Sequence, residues 1–225
     1  MDKFKRTLYR MEYKYGRFAI HNLMIYICST MLAVYFLQML IRIPVIQYLS
    51  LYRGALLQGQ IWRVITFIFI PPMSSPFWLL ISLYFYYFIG SSLEHQWGAF
   101  KFNLYYFTGI VATVLAALIS GYGDATYLNL SLFLAFAQLF PDTEFMLFFI
   151  IPVKAKWLAY LDWALFAWNF LFGSFSVKVT ILFAIANFML FFGKDFINDI
   201  RYNLKYRDTR NNYRKAMRDN DRRGR

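Results

Sequence analysis

The sequence predicts an all-α, polytopic membrane protein with six membrane-crossing helices. Three observations carry that expectation. The chain is 60% hydrophobic and 22% aromatic with a positive mean hydropathy, well above the roughly 45–50% apolar content of soluble domains. Its apolar residues lie in long uncharged runs without alternation, which excludes barrel strands. Its basic residues sit at the ends: six Lys/Arg fall in residues 1–20 and eleven in 194–225, leaving seven for everything between. That placement gives the net charge of +12 its meaning. It reports topology and contact with anionic membrane lipids, and nucleic acid is not an expected partner.

Residues 1–18 read as a basic amphipathic helix on the membrane surface, with Phe4, Leu8, Met11 and Tyr15 on one face among Lys3, Arg6, Arg10, Lys14 and Arg17. Residues 19–193 form the membrane domain. Its first span is His21–Ile41, stopped by Arg42 and Pro44. Residues 43–76 make a long connection whose apolar stretch, Ile65 to Ile70, favours the interface over water, and Pro71, Pro72 and Pro76 prevent a continuous helix through its end. The second span is Phe77–Ile89, short for the bilayer, and the third is Phe100–Ile119. The fourth, Thr126–Phe140, is stopped by Pro141. Phe145–Val153 is too short to cross and reads as an interfacial or re-entrant piece. Trp157–Phe172 and Phe175–Phe192 complete the six. Residues 194–225 are a basic cytoplasmic tail in which Phe196, Ile200 and Leu204 prolong the last helix before a polar end. Six spans put both basic termini on the cytoplasmic side, and the plain layout without an extra helix points to a bacterial plasma membrane. Cys28, the single cysteine, lies in an apolar run and reads as a small buried side chain.

Two pieces of sequence carry more than hydropathy. The first is Gly59-Gln60-Ile61-Trp62-Arg63-Val64-Ile65-Thr66. Trp62 and Arg63 are an amphipathic pair suited to the membrane–water boundary, the ring among head groups and the guanidinium reaching phosphate. The second is Gly90-Ser91-Ser92-Leu93-Glu94-His95-Gln96-Trp97-Gly98. A carboxylate such as Glu94 is tolerated at the end of an apolar helix only when paired or facing protein. Gly98 can supply a left-handed cap that turns the chain back into the bilayer. In order and at this separation, the two pieces resemble the rhomboid superfamily, and the resemblance covers residues from about Leu57 to Gly193. It implies a six-helix rhomboid-like bundle with a partly embedded hairpin between its first two helices. It also poses a choice between an intramembrane serine protease and a non-catalytic relative such as the derlins.

Serine proteolysis needs a nucleophile, a base and donors for the oxyanion. The resemblance puts the nucleophile in a Gly-x-Ser-Gly at the start of the fourth helix. Here that slot is Asp124-Ala125-Thr126-Tyr127, with Thr126 in place of serine and both glycines gone. The base, a histidine in the sixth helix, corresponds to Asn187, whose amide has no basic lone pair near neutral pH. The two oxyanion positions of the second helix correspond to Trp78 and Ser82. All four are substituted. Independently of that correspondence, the only histidines are His21 and His95, both at cytoplasmic ends of spans in this topology, and no lysine lies in the middle of a span. Two histidines and one cysteine offer no metal ligand set, and no cofactor is expected. Asn103, Asn129, Gln138, Asp162, Asn169 and Asn187 are polar residues in or at the edges of spans, suited to interhelical hydrogen bonds. Asn129, Asp162 and Asn187 are expected to border a polar cavity, with Asp162 the costliest to bury.

This reading points to a catalytically inactive rhomboid-like protein that binds other transmembrane proteins laterally, as a chaperone, adaptor or quality-control component. A short second span and an interfacial Trp-Arg loop would assist by mismatching and thinning the bilayer. The alternative is a rhomboid intramembrane serine protease that uses unrecognised residues.

Overall fold

The computed structural model describes residues 10–41, 44–72, 75–147 and 151–205. Residues 10–15 are helical and lead into a 3₁₀ turn, Gly16–Phe18. The expectations for residues 1–9, for Arg42 and for the tail from Arg207 lie outside the described residues. The elements then follow as α1 (Leu23–Ile41), α2 (Val45–Leu49), β1 (Leu51–Tyr52), α3 (Arg53–Leu57), α4 (Arg63–Thr66), α5 (Pro76–Trp97), α6 (Ala99–Ser120), β2 (Tyr122–Gly123), α7 (Thr126–Leu139), β3 (Glu144–Leu147), β4 (Ile151–Lys154), α8 (Ala155–Phe172) and α9 (Phe175–Lys205). The helix α9 passes from one compact unit, Met1–Phe188, into another, Met189–Arg225.

The protein is mostly helical, and among the described residues four helices are long and apolar enough to cross a membrane: α1, α5, α6 and the Phe175–Gly193 part of α9. The other two expected spans differ from these. α7 has 14 residues, about 21 Å at 1.5 Å per residue, against roughly 30 Å of hydrocarbon. It is the inner helix of the unit, packed against α5, α6 and α8, so its ends need not reach the head groups. α8 carries Lys156, Asp162 and Asn169 along its 18 residues.

The second span is corrected most. Instead of a short Phe77–Ile89 segment, α5 runs from Pro76 to Trp97, 22 residues, or about 33 Å. Pro76 occupies the first helical turn, where a missing N–H costs nothing. The Gly90-Ser91-Ser92 stretch stays helical because its polar groups turn back on the helix. Ser92 Oγ donates to Phe88 O at 2.7 Å, and His95 Nδ1–H donates to Ser91 O at 3.0 Å. Gly90 meanwhile leaves room for Met24 of α1 against the α5 backbone.

The Phe145–Val153 segment, expected as an interfacial or re-entrant piece, is built as strands in its described residues. β3 and β4 pair antiparallel, with Phe145 opposite Val153 and Met146 opposite Pro152. Proline is excluded from a helix interior, and the hairpin satisfies the backbone by another route. Phe145 packs into a ring cluster with Phe85, Phe88, Phe133 and Phe136. At the base, Lys156 Nζ and Lys154 Nζ lie 2.8 and 3.4 Å from Asp142 Oδ1. These lysines hold the Asp142 carboxyl below the usual carboxylate range.

The long connection is folded throughout its described residues. Its 3₁₀ turn Phe67–Phe69 packs on α1, with Phe67 and Ile68 buried. Its strand β1 pairs with β2, Leu51 opposite Gly123 and Tyr52 opposite Tyr122. Gly123 is required there. A methyl group on it would stand 2.9 Å from Ala117 Cβ and 3.0 Å from Leu51 Cδ2, and an alanine Cβ cannot swing away. Gly123→Ala is expected to lower stability by about 1–3 kcal/mol through overpacking, measured as a lower thermal-unfolding midpoint in detergent. An unchanged midpoint would mean that the β1–β2 junction yields freely.

Candidate functional site

The Trp-Arg motif is a capping device. The five-residue helix α2 ends in carbonyls with no intrahelical partner, and three motif side chains take four of them in succession. Arg63 Nη1 donates to Gln47 O at 2.7 Å and to Ser50 O at 2.5 Å. Trp62 Nε1 donates to Tyr48 O at 3.3 Å, and Thr66 Oγ1 to Leu49 O at 3.2 Å. Gln60 Oε1 accepts from Arg63 Nε at 2.7 Å and fixes the guanidinium plane. Gly59 adopts φ +86° at the turn before it, open to glycine without strain. Arg63 is 6% exposed, so its guanidinium is turned onto backbone rather than out to phosphate. The Trp62 ring, 53% exposed, stays free to sit at the interface.

Glu94 works at the opposite ends of α1 and α5. It is buried, and its Oε1 accepts the Asn22 backbone N–H at 2.6 Å. Asn22 lies just before α1 with φ +54°. The carboxylate therefore fixes the start of α1, where unpaired N–H groups and the helix dipole favour negative charge. Its Oε2 has no partner. Gly98 follows with φ +82° and ψ +154°, a positive-φ extended turn rather than a left-handed helical cap, and still one for which glycine is suited. Beside it Glu12 pairs with Lys101 at 3.2 Å.

The four positions matched to protease machinery are occupied otherwise. Thr126 is exposed at the start of α7, and its backbone N–H is capped by Asp124 Oδ1 at 2.8 Å. Asn187 is buried. Its Oδ1 accepts from Thr108 Oγ1 at 2.8 Å and its Nδ2 donates to Tyr105 O at 3.4 Å. No hydrogen bond joins Thr126 to Asn187. Gly109 lets Leu128 and Asn187 both approach α6. Trp78 is exposed and Ser82 half-buried on α5. The cavity residues also part company. Asn129 lies beside Tyr86 of α5, Asn187 is tied to α6, and Asp162, 4% exposed, has no partner for either oxygen. No hydrogen bond links these three. Among the described residues no group of three or more His, Cys, Asp or Glu forms a metal site.

The sequence did not single out Gln47, Ser50 and Asn22, which act through backbone atoms that any residue type supplies. Nor did it single out Tyr105, whose hydroxyl donates to Ser131 O at 3.0 Å and ties α6 to α7.

Helices of spanning length, with their ends capped from within the protein, define an α-helical integral membrane protein. The chain belongs to the family described as "Eukaryotic integral membrane protein (DUF1751)", whose model matches residues 25–193. That family is eukaryotic, which overturns the expectation of a bacterial plasma membrane. No curated protein matches the chain.

Arg63→Ala would bare the carbonyls of Gln47 and Ser50 and is expected to cost about 2–4 kcal/mol, with Arg63→Lys recovering only part because an ammonium lacks the planar fork. Glu94→Gln keeps the acceptor and loses the charge, so about 0.3–1 kcal/mol is expected, against about 1–3 kcal/mol for Glu94→Leu. Thermal melts of the purified variants in one detergent would rank all four changes.

Proposed function

We propose that the chain is a catalytically inactive, rhomboid-like membrane protein that binds transmembrane partners from the side, in a chaperone, adaptor or quality-control role. The observation that supports the inactive part is the position of its histidines. His21 and His95 stand at the end where α1 begins and α5 finishes, brought together by the Glu94–Asn22 bond. Thr126 follows the far end of α6, a helix of 22 residues, about 33 Å away along the bundle. General-base catalysis requires hydrogen-bond reach. Asn187 is spent on Thr108 and Tyr105 and has no proton-accepting chemistry to offer.

The binding part is supported by α8. It packs on α7 and β4, while Trp157, Leu161, Trp168 and Phe172 stand exposed on its outer side. In the membrane that side meets lipid or another helix.

The test is to reconstitute the protein in liposomes with a fluorophosphonate probe and, separately, with a transmembrane substrate of rhomboid proteases. Neither labelling nor cleavage is expected, and a photo-crosslinker at Leu161 should capture membrane helices. Labelling that disappears in Thr126→Ala would show a surviving nucleophile and favour the protease reading.

A further inference from the structure

Outside the capping network and the four substituted positions, a groove runs along one face of α5. It extends from Tyr87 and Phe88 to His95 and Gln96, is bounded by Phe140 after α7, and has a volume of about 460 Å³. That lies within the roughly 300–1,000 Å³ of ligand sites. We propose that this groove binds a phospholipid, with an acyl chain against Tyr87, Phe88 and Phe140 and the anionic phosphodiester held by Ser91 and Gln96.

Three observations support this occupant. The first is the order of chemistry along the groove. Over nine residues of helix, about 13 Å, the lining changes from aromatic to polar in the direction of the helix end at Trp97. A lipid shows the same change between chain and head group. The second is preformation. Phe88 lies 5.8 Å from both Phe136 and Phe145, and Phe136 lies 5.1 Å from Phe140, ring centroid to ring centroid. The apolar wall is thus fixed from behind and loses little freedom on binding. The third is the inventory of donors and charge. Ser92 spends its hydroxyl on Phe88 O, and His95 Nδ1–H is committed to Ser91 O. The Ser91 hydroxyl and the Gln96 amide make no hydrogen bond among the described residues and are available to phosphate oxygens. Two residues beyond Phe140, Asp142 with Lys154 and Lys156 forms a cluster of one net positive charge, favourable to an anion at that level.

The groove stands apart from the proposed function, since neither the α8 face nor the four substituted positions line it. The test uses the full-length protein in nanodiscs doped with a photoactivatable phosphatidylserine carrying a diazirine in its acyl chain. Adducts mapped by mass spectrometry should concentrate on residues 84–96 and around Phe140, and excess unlabelled phosphatidylserine should compete. Ser91→Leu with Gln96→Leu should cut that labelling about tenfold, the loss of charge-assisted hydrogen bonds, while the melting profile shows the variant folded. Tyr87→Trp, which fills the apolar end, should reduce labelling without touching the polar end. Adducts scattered over all lipid-facing helices, or equal labelling of the Leu variant by phosphatidylserine, would overturn the proposal. Equal labelling by a diazirine fatty acid lacking phosphate would also do so. Capture of a membrane polypeptide by a crosslinker at Tyr87, with lipid adducts dispersed, would assign the groove to a partner helix instead.

Discussion

Four consecutive carbonyls, from Gln47 to Ser50, decide how the chain passes from α1 to α5. A five-residue helix cannot satisfy its own C-terminal acceptors. Arg63 takes the first and last of the four, Trp62 and Thr66 the two between. Ser50 O bridges straight into β1, whose pairing with β2 anchors the connection to the far end of α6. A guanidinium suits this task because it stays charged at any accessible pH and presents donors in a fixed plane. Three side chains thereby hold in place a segment that hydropathy alone leaves unconstrained.

The same logic governs the other end. Glu94 brings an acceptor to the start of α1, as Arg63 brings donors to the end of α2. One residue serves an N-terminus and is acidic, the other a C-terminus and is basic, each matched to the sign of the helix end it meets. Between these caps the helices touch where side chains are small. Gly90 admits Met24 and Gly109 admits Leu128 with Asn187, so close approach substitutes for the hydrophobic force that lipid does not provide between helices.

This division explains what the sequence disclosed. The all-α class and α1, α6 and the start of α9 were legible because long apolar runs are a property of residue type alone. The motif residues stood out as a pattern, yet the direction in which Arg63 points did not, because its acceptors are backbone oxygens with no signature. The length of α5 was hidden because Gly90-Ser91-Ser92 interrupts its apolar run, and Ser92 and His95 keep that stretch helical by hydrogen-bonding within their own helix. The β3–β4 hairpin was masked by an apolar segment too short for periodicity to separate strand from helix.

Two of the positions singled out by the rhomboid resemblance, Thr126 and Asn187, meet the same demand for satisfied polar groups. A catalytic serine and histidine must be kept unspent, their hydrogen-bonding capacity reserved for substrate, at a cost in stability. In this chain the backbone N–H at Thr126 and the amide of Asn187 are committed. Asp124 caps the start of α7 at Thr126, and Asn187 joins α6 to α9 through both ends of its amide. An amide that donates and accepts is a better tie between two helices than an imidazole, which in its neutral form must choose a tautomer.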